Sequence, residues 1–452
     1  MAVFRETIER TNSVTYHPGL YDEFLAARTT YMQSEANELE VAPSMAWHKD
    51  SSSKRRSRLP LVVYVLAVGA FLMVTSEFVV AGVLGQIAED LEVGVAEAGA
   101  LFTTFAIGMV VGAPLMAMLT IAMPKRMTLV SALIVFIVMH VIVAVGQDLT
   151  AVLVARFVSA LATGAFWSVS AVVATAASEP SSAARAVGVV GTGGAVATVL
   201  GVPAGAFVAQ LIGWRGTFWV LAGAAVLATV LVASLVPKVA PVHSSNSFVS
   251  QFYGVRSGRL WLVLAACTTI SAGVFATYAY ITPILTDYVG IAGPQVPLVL
   301  TGFGLSLVVG TLLIGRFGDA HWSLIILVTP ATTAILLLGI SSSGDAPWLA
   351  VALVTMLGLF GLSANSLLIH LAVRFAGQSA TLGSALSISA LNAGTALGTA
   401  MARVTLESPL GMRGPALVGA IMVALTLLPA GSLALASRRS KALPADFLAG
   451  RD

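Results

Sequence analysis

The chain has 452 residues, 57% of them hydrophobic and only 10% charged, with a formal net charge of +3. A soluble domain carries roughly 45–50% apolar and about 25% charged residues, so this chain lacks the charge to cover a water-facing surface and reads as a membrane protein. The single cysteine, Cys267, excludes an intrachain disulfide framework and a cysteine-based metal site. The six histidines (His17, His48, His140, His243, His321 and His370) show no metal-ligand spacing, and no Gly-x-x-x-x-Gly-Lys-Ser/Thr phosphate loop occurs. An ATP-driven pump on one chain is therefore disfavoured, and neither metal nor cofactor is expected.

Residues 1–53 set Arg5, Arg10, Arg28 and Lys49 against eight acidic residues, a net of −4, and contain nothing as long as a spanning helix. Together with the basic stretch that follows, residues 1–58 read as a cytoplasmic tail without persistent structure. The first apolar run starts near Leu59, too deep for an ordinary cleaved signal. From there the sequence breaks into twelve apolar segments: 59–84, 95–119, 127–147, 149–177, 183–210, 217–236, 260–286, 295–315, 323–341, 347–371, 378–404 and 412–436. Each approaches the ~20 residues that cross a ~30 Å hydrocarbon core, and each is far longer than a barrel strand, so all are expected to be helices.

The longest connection, residues 237–259, divides the segments six and six. This predicts an N-terminal half (59–236), a cytoplasmic linker (237–259), a C-terminal half (260–436) and a cytoplasmic tail (437–452). Lys and Arg fix the orientation. Fifteen of them (Lys54, Arg55, Arg56, Arg58, Lys125, Arg126, Arg185, Lys238, Arg256, Arg259, Arg316, Arg374, Arg438, Arg439 and Lys441) fall on the side of the N-terminus, against three (Arg215, Arg403 and Arg413) opposite. Both termini are thus expected in the cytoplasm. The basic excess is a topology signal, so nucleic acid is not an expected partner.

A shift of 198 positions lays Thr103–Gly112 (TTFAIGMVVG) over Thr301–Gly310 (TGFGLSLVVG) with five of ten residues identical, and carries Gly213, Arg215 and Gly216 onto Gly411, Arg413 and Gly414. One offset serving separated regions marks an internal repeat. The expected fold is an all-α membrane protein of twelve transmembrane helices in two pseudo-symmetric six-helix halves, with a site between them at mid-membrane.

Several motifs resemble the major facilitator superfamily, specifically its twelve-span drug:proton antiporter branch. They are Thr75-Ser76-Glu77-Phe78 with Gly82 and Ile87-Ala88-Glu89-Asp90-Leu91 in segment 1, Arg156 before Phe166-Trp167-Ser168 in segment 4, and Gly201-Val202-Pro203-Ala204-Gly205 in segment 5. Together they resemble bacterial arabinose-efflux and chloramphenicol-resistance exporters, and Phe105–Met116 and Tyr280–Asp287 lean towards the latter. The resemblance implies that Gly201, Pro203 and Gly205 form an export signature at which the fifth and eighth helices pack closely. It also implies a cytoplasmic latch between segments 2 and 3, at Ala117, Ile121, Pro124, Lys125 and Arg126, repeated as Gly315, Arg316 and Asp319. The first copy lacks the acidic member, so an asymmetric latch is expected. Lys125 and Arg126 are equally read as plain topology signals.

Glu77 and Arg156 each fall about seven residues, or ~10 Å, inside the outer end of their segments. A charge at mid-membrane costs at least ~2.5–3.5 kcal/mol on insertion scales, which makes both functional candidates. Glu77 is expected to exchange a proton beside Arg156; the alternative is a permanent Glu77–Arg156 pair. His140 lies at similar depth and could relay protons, but a structural role is favoured because the third helix of the resembled fold is peripheral. Asn392, the one amide of segment 11 beyond its first residue, and the aromatics Phe105, Trp167 and Tyr278, near Phe166, Phe275 and Tyr280, are expected to line a substrate cavity.

The function expected from these readings is secondary active efflux, a monomeric transporter in the cytoplasmic membrane exchanging a small amphipathic drug such as chloramphenicol for protons by alternating access. Efflux of an arabinose-like sugar or a nucleoside, or uncoupled facilitation, is the alternative. No nucleophile–base or paired-carboxylate constellation occurs within the segments, so an enzyme is not expected.

Overall fold

The computed structural model describes residues 59–120, 123–179, 182–237, 257–377 and 380–442. The tail 1–58, most of the 237–259 linker and the end of the C-terminal tail lie outside these residues. Every regular element among the described residues is helical and none is a strand, as an unclosed chain in hydrocarbon requires.

Among the described residues, ten helices are long and apolar enough to cross a membrane. They are Leu61–Asp90, Val95–Met116, Lys125–Val145, Leu149–Ala176, Ala183–Leu235, Gly258–Tyr278, Gly293–Gly318, Ala320–Ser341, Pro347–Phe375 and Gly411–Ala436. The count differs from twelve for two reasons. Segment 11 does form a 27-residue helix, Ala380–Leu406, but its many Gly, Ser and Thr residues leave it less apolar than the others. Segments 5 and 6 form one helical stretch of 53 residues.

That stretch is not a straight rod. Ile212 (φ −132°, ψ 17°) and Gly213 (φ 77°, ψ 164°) leave helical geometry, and the Thr217 hydroxyl donates to Gly205 O at 2.9 Å. In a continuous helix, residues 12 apart in sequence would sit ~18 Å apart. The chain therefore doubles back at Gly213, where a residue without Cβ reaches positive φ cheaply.

The repeat recurs in the contacts. A Cβ on Gly112 would press on Leu161, and one on Gly310, 198 residues later, would press on Leu359, the equivalent partner. Gly213 and Gly411 share positive φ, 77° and 53°. The arginines that follow them make equivalent ties. Arg215 forms an ion pair with Asp90 and donates to Gly146 O at 2.8 Å, while Arg413 Nε donates at 2.9 Å to the hydroxyl of Tyr288, which occupies the repeat position of Asp90.

Three hydrogen bonds bring segments 1, 2 and 5 against segments 7 and 11 and the turn that leads into segment 8. The Thr282 hydroxyl donates to Ala81 O at 2.6 Å, Thr103 and Thr399 share a 2.7 Å bond, and Gln210 Nε2 donates to Gly293 O at 2.9 Å. All lie towards the end of the bundle remote from residue 59. The buried apolar residues of that end (Leu84, Ile87, Phe218, Tyr280 and Leu300 among them) form one continuous cluster.

Candidate functional site

Below this closed end lies a cavity of about 700 Å³. Segment 1 supplies Glu77 and Phe78, segment 5 Gly191 to Thr198, segment 7 Ser271 and Phe275, segment 8 Leu307 to Leu312, segment 10 Asn365 and Ile369, and segment 11 Leu391, Asn392 and Thr395. Phe78 and Phe275 stack in parallel, with centroids 5.5 Å apart, as an aromatic wall beside the carboxyl. Among the described lining residues Glu77 alone is ionisable. Its side chain is half-buried, and no ion pair joins it to Arg156.

Arg156 is 1% exposed and is held from segment 1 by main-chain oxygens instead. Nη1 donates to Ser76 O at 3.0 Å and to Ser76 Oγ at 3.1 Å, and Nη2 donates to Glu77 O at 3.3 Å. The Phe105 ring lies under the guanidinium, its centroid 4.4 Å from Cζ. Helix carbonyls keep a second lone pair after their i+4 bond, so they can accept from both Nη atoms without breaking the helix, while Arg156 Nε is left without a partner. The result fixes the turn that carries Glu77 while leaving its carboxyl open to the cavity.

His140, expected to be structural, joins the same group of residues. Its ring is 1% exposed, bonds Ser76 Oγ through Nε2 at 2.7 Å and Phe136 O through Nδ1 at 2.7 Å, and stacks on Phe136.

Of the predicted cavity residues, Asn392 lines it and three do not. Phe105 is buried under Arg156. Trp167 stands one layer back, against Gly194. Tyr278 is buried behind Phe78 and Phe275, with its centroid 4.7 Å from that of Phe303. The helical period explains the exchange: Phe275 and Tyr278, three residues apart, share one side of their helix, and the nearer of the two faces the cavity. Among the lining residues not expected there are Phe78 and Asn365. Phe78 reads only as a motif neighbour of Glu77, and Asn365 is one of several polar residues of its segment, with Thr355, Ser363 and Ser366; its Oδ1 is buried without a hydrogen-bond partner.

The glycines of the export signature pack differently from expectation. A Cβ on Gly201 would run into Thr75, and one on Gly205 into Val79, so both admit segment 1 rather than segment 8. The close approach of segments 5 and 8 is made by Gly304, which abuts Thr198 and Val199. Pro203 follows a wide π-helical turn, Ala197–Gly201, as expected where a residue without N–H interrupts the helix ladder.

Of the latch residues, Lys125 and Arg126 open the helix Lys125–Val145, and Lys125 Nζ donates to Thr120 O at 3.0 Å. Gly315 and Arg316 are exposed on the helix of segment 8. Ile121 and the side chains of Ala117 and Asp319 lie outside the described residues.

The sequence profile of the Major Facilitator Superfamily matches residues 66–283. The chloramphenicol resistance protein of Streptomyces lividans is 31% identical over 375 residues, covering 82% of this chain and 96% of that protein. An uncharacterized MFS-type transporter of Bacillus subtilis (strain 168), YtbD, is 29% identical over 396 residues, covering 86% and 99%. Two solved structures share the fold at low identity. The nucleoside transporter NupG superposes with a TM-score of 0.65 at 13% identity, over 83% of this chain and 98% of that one. A bacterial homolog of the human lysosomal transporter Spinster, inward-facing and occupied, gives 0.64 at 15%, over 84% and 96%. The chain belongs to the major facilitator superfamily. It is a multi-pass membrane transporter and not an enzyme.

Proposed function

We propose that this transporter is a proton-coupled antiporter of the bacterial cell membrane that exports a small, mostly apolar compound of the phenicol type. The observation that carries the reading is the Glu77 carboxyl: it faces the cavity without an ion-pair partner and stands beside the Phe78–Phe275 wall. A carboxyl open to the substrate's space can hold either a proton or the approach of substrate, which is the competition that exchange requires; a facilitator has no use for it. The 31% identity to a chloramphenicol resistance protein supports the substrate class.

The architecture that goes with this reading is twelve spans in two halves, 59–236 and 260–436, with both termini in the cytoplasm. The doubling back at Gly213 and the helix Ala380–Leu406 support the count, and the paired contacts at an offset of 198 support the halves. In that orientation the hydrogen bonds at Ala81, Thr399 and Gly293 close the outer face, and the cavity belongs to an inward-facing state. One chain encloses the cavity, so a monomer suffices.

A nucleoside or sugar is the second reading. Asn365 favours it by adding a second amide to the cavity, and a solved structure of similar fold is a nucleoside transporter. The cavity's other donors are largely committed, however. Thr192, Thr198 and Thr395 donate to carbonyls of their own helices, and Asn392 Nδ2 donates to Ile388 O at 3.0 Å. A polyol would find few free donors, which favours the apolar amphipath.

Overexpression in a pump-deficient host is expected to raise chloramphenicol tolerance, with a protonophore cancelling the effect. Glu77→Gln is expected to abolish gradient-driven export while retaining substrate binding. Wild-type export by that variant rules out Glu77 as the obligatory carrier. Unchanged drug tolerance with lowered nucleoside or arabinose accumulation gives the substrate to the second reading.

A further inference from the structure

The geometry points to His140 as a positioning residue for the Arg156–Glu77 centre, acting through the Ser76 hydroxyl; the role rests on the reading of Glu77 as the coupling carboxyl. The hydrogen bonds run in one direction only. Phe136 O can only accept, so His140 Nδ1 carries the hydrogen, and in the neutral ring Nε2 is then the acceptor. Ser76 must therefore spend its single O–H on Nε2. That turns the lone pairs of Ser76 Oγ to the guanidinium, and Arg156 Nη1 donates to it at 3.1 Å. The same nitrogen holds Ser76 O, while Nη2 holds Glu77 O, so the hydrogen bonds run unbroken from Phe136 to Glu77, with Arg156 Nε left without a partner.

This direction also decides against a proton relay through His140. A relay needs an acceptor on one nitrogen and an onward path from the other. Nδ1 ends at a helix carbonyl one turn away, Phe136 O, and Phe136 and Phe218 cover the ring. The ring is placed to hold, not to pass.

The repeat supports a role tied to this one centre. The positions 198 residues after Ser76, His140 and Arg156 are Val274, Leu338 and Val354, all apolar. Leu338 is half exposed where His140 is buried, so the second copy builds no counterpart of this polar centre.

The test uses the full chain in liposomes with two readouts, chloramphenicol transport driven by a proton gradient and chloramphenicol exchange at equal pH. His140→Leu removes the acceptor and keeps an apolar bulk. It is expected to lower gradient-driven transport at least tenfold while exchange stays within threefold of wild type, and Ser76→Ala is expected to do the same. His140→Gln, whose amide oxygen can accept from Ser76, is expected to recover both rates to within threefold. A second measurement is independent of transport: nitrogen NMR of histidine-labelled protein, with His140 assigned by its loss in His140→Gln, is expected to show the Nδ1–H tautomer. Unimpaired transport by His140→Leu, a His140→Gln as impaired as His140→Leu, equal losses in both readouts, or an Nε2–H tautomer overturns the positioning role. Glu77→Gln run alongside separates the two failures. Gradient-driven transport at the wild-type rate in that variant sinks the coupling reading, while the tautomer and the contrast between His140→Leu and His140→Gln still decide the role of His140.

Discussion

The bond from the Thr282 hydroxyl to Ala81 O, 2.6 Å long, ties segment 7 to segment 1 at the closed end and must break whenever that end opens. Thr282→Val removes the hydroxyl and preserves the shape. Ala81 O retains its own helical bond, so no buried acceptor is orphaned and only the net value of one hydrogen bond is lost, about 1 kcal/mol. Each 1.4 kcal/mol is tenfold in an equilibrium constant, so the balance between closed and open forms of that end should shift about fivefold towards open. Thr103→Val at the Thr103–Thr399 bond and Gln210→Ala at the bond to Gly293 O should act in the same sense. These contacts lie on different helix pairs and should add to about 3 kcal/mol in the triple variant, a shift on the order of a hundredfold. Spin labels at the ends of segments 1 and 7 beside these bonds, read by distance distributions in nanodiscs, report the two populations directly. An unchanged distribution in the triple variant, or a shift towards the closed form, would refute the assignment of these bonds as the closing contacts.

Arg156→Ala should lower both exchange and gradient-driven transport and reduce thermal stability in detergent, because three charge-assisted bonds to segment 1 are lost together; a variant as stable as wild type would contradict this. Arg215→Gln should cost less than about 1 kcal/mol, since both partners of its ion pair with Asp90 are partly exposed, at 29% and 44%; a larger loss in a denaturation series would show that the tie matters more than its exposure allows. Gly205→Val should abolish transport, because its side chain would enter Val79, whereas Gly223→Val, with open space around it, should be tolerated. Asn246→Cys in a Cys267→Ser background should resist impermeant thiol reagents added outside intact cells, and ready labelling there would invert the topology.

The helical segments could be read from hydropathy because the bilayer leaves the backbone few options: a long apolar run without a closed barrel must satisfy its own amides. The joint at Gly213 was legible as a repeat partner of Gly411, since a position that needs positive φ keeps its glycine in both copies. Glu77 and Arg156 stood out because ionisable groups at mid-membrane are costly. What pattern could not give was the partner of each group. The charge on Arg156 suggested a carboxylate, yet its Nη atoms go to Ser76 O, Ser76 Oγ and Glu77 O, and the two main-chain acceptors among these leave no mark in a sequence. The same blindness placed Tyr278, Trp167 and Phe105 on the cavity when each stands a layer behind it, and missed Asn365, whose segment gives no hint of the face it presents. The repeat sharpens the point. It is kept where helices touch closely, at Gly112 with Leu161 and Gly310 with Leu359, and lost where the first copy carries Ser76, His140 and Arg156 against Val274, Leu338 and Val354 in the second. Helix packing constrains both copies alike, but a polar centre costs desolvation each time it is built and serves one cavity only. One copy can therefore carry it alone, as the first does with Ser76, His140 and Arg156.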